Sequence, residues 1–123
     1  MRIVLGVTGA SGSIFAVEFL RRLGEVESYL ILSRWGKSVL HQETGLTPES
    51  LATFTRRIFA NDDLNAPLAS GSNSFDAFVI LPCSVSTLGK IAHGIGDNLI
   101  TRCAAVALKE RRKRARGHRK LAG

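Results

Sequence analysis

The stretch that decides the fold is RIVLGVTGASGSIF, residues 2 to 15. Its first part is an apolar run rich in β-branched residues, which predicts a strand over residues 2 to 7 that is buried on both faces, as in parallel sheets. Glycines and small polar residues follow, and beyond them apolar residues recur at helical spacing until Gly24. The stretch therefore predicts a strand, a glycine-rich turn and an amphipathic helix.

The same alternation continues along the chain. Two further apolar segments, SYLILS and FDAFVILP, predict a second and a third strand. Helices are predicted for RWGKSVLHQET, for TPESLATFTRRIF with Thr47 as N-cap, and for SVSTLGKIAHGIG and NLITRCAAVALKERRKR. The polar stretch NDDLNAPLASGSNS predicts a long loop. We therefore predict one α/β domain, a parallel sheet of three strands with flanking helices.

Small polar residues follow each predicted strand, in GVTGASG, LILSR and ILPCSVST. The carboxyl ends of parallel strands meet at one edge of the sheet, where α/β domains bind their ligands. Glycines allow close approach, helix N-termini present N–H groups, and hydroxyls donate hydrogen bonds without adding charge, so this edge suits a phosphate. Gly6, Gly9 and Gly12 form neither the Rossmann nor the P-loop pattern, and a plain strand-to-helix turn also explains them.

Charge and composition narrow the classes of function. The net charge of +7 is concentrated in the last 14 residues, which hold seven Lys or Arg against one Glu. That segment has no aromatic residue for base stacking, so nucleic-acid binding is the less favoured interpretation. The sequence has no run apolar enough for a membrane span and no signal peptide, which predicts a cytoplasmic protein. Cys83 and Cys103 lack the spacing of a disulfide framework or a metal site, so no metal is predicted.

The main alternative interpretation of the first turn is that it is the cofactor-binding turn of a dehydrogenase. TGASGSI is similar to the cofactor-binding turn of the short-chain dehydrogenases. Arg34 would then lie where it could bind the 2′-phosphate of NADP. Those enzymes need a tyrosine followed four residues later by lysine. Tyr29 is followed at that distance by Ser33, so the catalytic half of that family is absent.

Three segments together resemble the flavin prenyltransferases, the UbiX family, in order and spacing. They are TGASGSIF, LILSRWGKSVLHQET and PCSVSTLGKIAHGIGDNLITRCAAVALKERR. The resemblance covers residues 2 to 112 and implies a flavodoxin-like or Rossmann-like subunit that binds FMN. It also implies transfer of a dimethylallyl group from dimethylallyl phosphate to the flavin. The product is the cofactor of UbiD-type decarboxylases, which links the family to ubiquinone biosynthesis.

The resemblance assigns site residues by position. FMN contacts fall on Gly9, Ala10, Ser11, Ser33, Ser84, Val85, Ser86, Thr87 and Arg102. Catalytic roles fall on Ser11 and Lys109, which would contact the departing phosphate, and on Glu43, which would manage protons or charge near the flavin. Other interpretations stay open: Glu43 as a solvated helix residue, Lys109 as a surface lysine, and Arg102 as a partner of Asp97. Trp35 and Phe78 are interpreted as packing groups rather than flavin-stacking residues, although the position of Trp35 close after Ser33 leaves stacking on the flavin open for that residue.

The chain departs from the family pattern after ALKERR. The family continues there with an apolar strand and a Pro-Arg-Glu motif, whereas this chain reads KRARGHRKLAG. We therefore expect a truncated domain over residues 1–112, a basic, disordered tail over 113–123, and impaired transferase activity. The resemblance also implies a homo-oligomer with the site at subunit interfaces.

Overall fold

The computed structural model describes residues 1–70 and 74–122, with side chains described as far as Arg111. Its strands and helices alternate along the chain. They are β1 (Arg2–Val7), α1 (Ser13–Leu23), β2 (Glu27–Leu32), α2 (Arg34–Thr44), α3 (Pro48–Leu51), β3 (Arg57–Ala60), a 3₁₀ turn (Pro67–Ala69), β4 (Ala77–Ile80), α4 (Val85–Ala92) and α5 (Leu99–Ala122). The predicted α/β class is thus confirmed.

The strands form one parallel sheet in the order β3-β2-β1-β4. From β1 the chain winds outward through β2 to β3, and β4 then returns to the other side of β1. The winding therefore reverses between β1 and β4, and this reversal opens a crevice at the carboxyl ends of those two strands.

The prediction of three strands was wrong, because the structure contains a fourth, β3. The predicted helix from Thr47 is a single turn, α3, and the chain then turns into the strand Arg57–Ala60. Its start was predicted correctly, since Thr47 and Ser50 form a reciprocal capping box. Threonines at positions 53 and 55 disfavour a continued helix, and the edge of β2 offers a parallel ladder from Tyr29 to Leu32.

Both faces of the sheet are buried, as the unalternating strands predict. One face packs against α1, α2 and α3 through a cluster that includes Leu5, Leu30 and Leu20. The other packs against α5 and the 3₁₀ turn through Val4, Ile31, Ile100 and their neighbours. The edge where all four strands end is therefore the place where a ligand can reach the backbone.

Asn61, directly after β3, fastens the start of α5 to the sheet. Its backbone carbonyl accepts from Leu99 N at 2.8 Å, and its side-chain Oδ1 accepts from Ile100 N at 2.8 Å. Its own N–H donates to the Leu32 carbonyl at 3.2 Å. One residue thus links the ends of β2 and β3 to the first turn of α5.

The backbone of α5 continues to Ala122, while the side chains after Arg111 lie outside the described residues. The division into a domain over 1–112 and a disordered tail over 113–123 stays a prediction. Within the part of the chain that the structure describes, no helix has the length and apolar character needed to cross a membrane.

Two helical glycines make a matched test of this packing. A Cβ on Gly36 would overlap the Val7 carbonyl oxygen, whereas a Cβ on Gly89 would meet nothing within 4 Å. We expect Gly36→Ala to destabilise the fold by about 1–3 kcal/mol, because α2 would have to move away from β1. We expect Gly89→Ala to stabilise it by about 0.5–1 kcal/mol. Urea unfolding of both variants checks this, and equal effects would contradict the close approach of α2 to β1.

Candidate functional site

The ends of β1 and β4 are joined through the buried hydroxyl of Thr8. Its Oγ1 donates to the Pro82 carbonyl at 2.8 Å and accepts from Ser84 N at 2.7 Å. The Thr8 N–H also donates to the Pro82 carbonyl, at 3.2 Å. These bonds hold the glycine-rich turn after β1 against the turn that leads into α4, so both sides of the crevice keep one relative position.

The N-terminus of α4 forms one wall of this crevice. Ser84 is its N-cap, and its Oγ accepts from Thr87 N at 3.2 Å and donates to Thr87 Oγ1 at 2.9 Å. Among the described residues, the N–H groups of Val85 and Ser86 have no hydrogen-bond partner, as is usual for the first turn of a helix. With the positive end of the helix dipole, they form a place that can hold an anion.

The N-terminus of α1 is capped by a carboxylate from α2. Glu43 Oε1 accepts from Ser13 N at 2.9 Å and from Gly12 N at 3.1 Å, while Oε2 accepts from Ser11 Oγ at 2.9 Å. The N-cap residue, Gly12, has no side chain to do this, and the first turn of α1 has no acidic residue. The hydrogen bonds from Ser13 N and the Ser11 hydroxyl hold the pKa of Glu43 below its ordinary value. The structure thus brings together two predicted catalytic residues, Ser11 and Glu43.

The first turn of α2 lies against the turn after β1. Ser33 caps α2 by accepting from Gly36 N at 2.9 Å, and its own N–H donates to the Val7 carbonyl at 3.0 Å. A Cβ on Gly9 would overlap the Cβ of Trp35, so a glycine is needed there for the two segments to meet. Trp35 was interpreted as a packing group, but its side chain is 70% exposed. Phe78, in contrast, is half-buried and packs against the second core cluster.

Arg102 and Lys109, both on α5, take no part in the contacts just described. Arg102 Nε donates to the Gly96 carbonyl at 3.0 Å, and Asp97, its suggested partner, instead pairs with Lys90 at 3.1 Å. Lys109 is exposed and lines a separate cavity of about 260 Å³ beside the end of α4. Their roles in the site stay predictions.

The cysteines and Tyr29 do not have the environments that nucleophilic or acid–base catalysis at this site would need. Cys83 is exposed and Cys103 is buried, and both are free. Burial raises the pKa of the Cys83 thiol and raises that of Cys103 to about 12, so neither is an activated nucleophile. The Tyr29 hydroxyl donates to Glu27 at 3.0 Å within β2, away from the carboxyl edge. Among the described residues, no group of three His, Cys, Asp or Glu could hold a metal ion.

Thr8 and Asn61 were missed by the sequence analysis, although both position the site. The signal for Thr8 was a hydroxyl residue between the last residue of a strand and a glycine, in GVTGASG. Asn61 carried a weaker signal, because Asn directly after a strand is common in loops. The role of each depends on a partner far along the chain, such as Pro82 for Thr8.

A parallel sheet with helix N-termini and hydroxyls gathered at its switch point defines an α/β domain built to bind a mononucleotide or a similar anion. The model of the Flavoprotein family matches residues 1–115, and the chain belongs to this family.

Similarity to individual curated proteins points to a narrower class of protein than the family model does. The chain is 48% identical over 113 residues to the flavin prenyltransferase UbiX of Thermoplasma acidophilum, a match that covers 92% of this chain and 63% of the relative. It is 44% identical to the flavin prenyltransferase LpdB of Lactiplantibacillus plantarum, with 91% and 62% covered. The chain therefore spans less than two thirds of the length of these relatives.

Solved structures agree with the fold. AnUbiX (PadA1), solved in complex with FMN and dimethylallyl pyrophosphate, has a TM-score of 0.84 and 38% identity over 89% of this chain and 60% of that one. A dodecameric FMN-dependent UbiX-like decarboxylase from Escherichia coli O157:H7 also has a TM-score of 0.84, at 34% identity over 89% of this chain and 62% of its own. The flavodoxin-like or Rossmann-like architecture is thus confirmed.

The cap on α1 makes stability depend on pH. Because the pKa of Glu43 is lowered in the folded state, its contribution is complete above the unfolded value of about 4.3 and is lost as the pH falls through the folded value. We expect Glu43→Gln to lower Tm at pH 7, and the gap to wild type to narrow only once the pH falls below about 4.3 and to close as it falls through the lower folded value. Exposed Glu25, which has no described hydrogen bond, supplies the control Glu25→Gln. A gap that stays constant with pH would contradict the cap.

The Thr8 bridge can be tested with an isosteric change. Thr8→Val keeps the volume but leaves the part-buried Ser84 N–H without its acceptor, so we expect a loss of about 1–2 kcal/mol in the free energy of unfolding. Thr53→Val, at an exposed threonine without a described hydrogen bond, should change it by less than about 0.5 kcal/mol. Equal losses for the two variants would show that the bridge contributes nothing specific.

Proposed function

We propose that this chain is the FMN-binding part of a flavin prenyltransferase. The observation that carries the proposal is the junction of the β1 and β4 ends, where the Thr8 bridge holds a glycine-rich turn beside the free N–H groups of α4. Identity of 48% to a named flavin prenyltransferase supports it. The residues present fit the cofactor, since FMN has a phosphate for the helix N-terminus and a planar ring that requires close backbone approach.

In this proposal the phosphate binds at α4. The N–H groups of Val85 and Ser86 and the hydroxyls of Ser84, Ser86 and Thr87 surround that position, and Ser33 lies at the neighbouring helix start. Gly9 and Ala10 present backbone to the ring, and Ser11 lies beyond them on the same turn. Arg102 would add a positive charge only if its side chain left the Gly96 carbonyl.

Bound FMN in its reduced state would supply the nucleophilic ring, and dimethylallyl phosphate would supply the prenyl group, whose bond to the phosphate oxygen breaks as the bond to the flavin forms. The contribution of the chain is then to hold the two reactants and to stabilise charge on the departing phosphate. Ser11 and Glu43, joined at 2.9 Å, are the pair proposed to act at the reacting end, where the hydroxyl can donate to an oxygen and the carboxylate can take up a proton. Lys109 is proposed as a second phosphate contact, which a neighbouring subunit could supply.

The same proposal includes the assembly and the context of the reaction. One similar protein is dodecameric, which supports a homo-oligomer here. The product would pass to a UbiD-type decarboxylase, as in ubiquinone biosynthesis, and the protein would act in the cytoplasm.

FMN titration of the purified chain tests the proposal, with flavin fluorescence reporting binding and far-UV circular dichroism reporting folding. We expect saturable binding to a folded chain. Prenyl transfer from dimethylallyl phosphate to reduced FMN, measured beside the Thermoplasma relative, then tests the transferase part of the proposal. A folded chain that does not bind FMN would overturn the proposal.

Two exposed serines give a matched pair for the phosphate site. Ser86, in the first turn of α4, and Ser38, on α2, are both exposed and have no described side-chain hydrogen bond. We expect Ser86→Ala to raise the Kd for FMN about two- to tenfold, the effect of one lost hydrogen bond, and Ser38→Ala to leave it unchanged. Unchanged affinity in both variants would place the phosphate elsewhere.

A further inference from the structure

Trp35, the one tryptophan of the sequence, combines a fixed backbone with an exposed side chain. Its Cβ lies against Gly9, and an added Cβ on Gly9 would also come within 3.2 Å of the Trp35 carbonyl carbon. Ser33 N and Gly36 N are both hydrogen-bonded on either side of it, at 3.0 Å and 2.9 Å. The indole itself is 70% exposed. The backbone is therefore held in place while the ring is left available for contact.

Exposed apolar residues are common on protein surfaces, so the argument depends on where this one lies. Trp35 is two residues after Ser33 and in contact with Gly9, and both of these belong to the proposed FMN site. Two further apolar side chains are exposed in first helical turns at the same edge, Phe15 at 64% and Val85 at 87%. The edge therefore carries both polar groups and exposed apolar side chains, a combination that small-molecule sites use.

We propose that the indole of Trp35 packs against the flavin ring of FMN, an inference that rests on the proposed function. The phosphate at α4 fixes one end of the cofactor, and a planar aromatic surface beside Gly9 orients the other. An indole is neutral and electron-rich, and the oxidised flavin ring is planar and electron-poor, so offset stacking of the two is favourable. Trp35 is accordingly a positioning residue of the site.

The test compares Trp35→Ala, Trp35→Phe and Leu108→Ala in FMN titrations. Leu108 is the control because its apolar side chain is 46% exposed on α5, nine residues after the start of that helix and about 14 Å along its axis. We expect Trp35→Ala to raise the Kd for FMN about tenfold, in the range that alanine substitution gives for aromatic stacking on bases. Trp35→Phe should restore most of the affinity, and Leu108→Ala should change nothing.

A second readout separates stacking from a merely structural role. A stacked indole quenches flavin emission by electron transfer, and neither alanine nor phenylalanine does so. The fluorescence of bound FMN should therefore be strongly quenched in the wild-type chain and in Leu108→Ala, and higher in both Trp35 variants. Circular dichroism of each variant checks its fold, and if Trp35→Ala does not fold, the emission of FMN bound to Trp35→Phe decides the question.

Each outcome has one meaning. If wild type does not bind FMN, the proposed function fails, and this inference fails with it. If wild type binds and the Trp35 variants match it in Kd and in emission, FMN binding stands and the stacking role is overturned. If light scattering shows that Trp35→Ala loses self-association while flavin emission is unchanged, a second copy of the chain covers the indole, which also overturns the inference.

Discussion

The contact on which the site depends is the hydroxyl of Thr8 between two strands that are distant in sequence. A parallel sheet whose winding reverses at β1 leaves two strand ends side by side, and nothing in the ladder itself sets the position of the turns that follow them. Thr8 does so, because one buried Oγ1 satisfies the Pro82 carbonyl and the Ser84 N–H together. The glycine turn and the start of α4 are therefore held together by hydrogen bonds, next to the N–H groups in the first turn of α4.

The helix starts at this edge are stabilised in two different ways. Ser33 and Ser84 cap α2 and α4 locally, each leaving other N–H groups of the first turn for a ligand. The start of α1 instead receives a charged group from α2, since Glu43 accepts from Gly12 and Ser13. A negative charge at that position compensates the positive end of the α1 dipole, and a ligand phosphate there would have to displace or repel it. Phosphate binding is for this reason assigned to α4, and the start of α1 to the reacting end.

Much of the fold could be predicted from local patterns. The strand from Arg2 to Val7 and the helix from Arg34 to Thr44 are present with the predicted bounds, because buried runs and capped, amphipathic helices are local properties. β3 could not be predicted in this way. Its four residues have only one well-buried side chain, Phe59, and it is a strand because the edge of β2 provides hydrogen bonds. The exposure of Trp35 could not be predicted for a related reason: its apolar character suggested packing, whereas its Cβ lies beside Gly9 and its side chain is exposed.

The sequence by itself determined the class of the fold, through apolar strands and amphipathic helices, and the family, through the resemblance of three segments to the flavin prenyltransferases. The fold class follows from periodicity and residue type, which act over a few neighbouring positions. Only the tertiary structure decided the order of the strands, the Thr8 bridge, the capping of α1 by Glu43 and the exposure of Trp35. Each of these joins residues at least 25 positions apart, as Ser11 and Glu43 are across 32, and such pairings depend on packing that no local pattern contains.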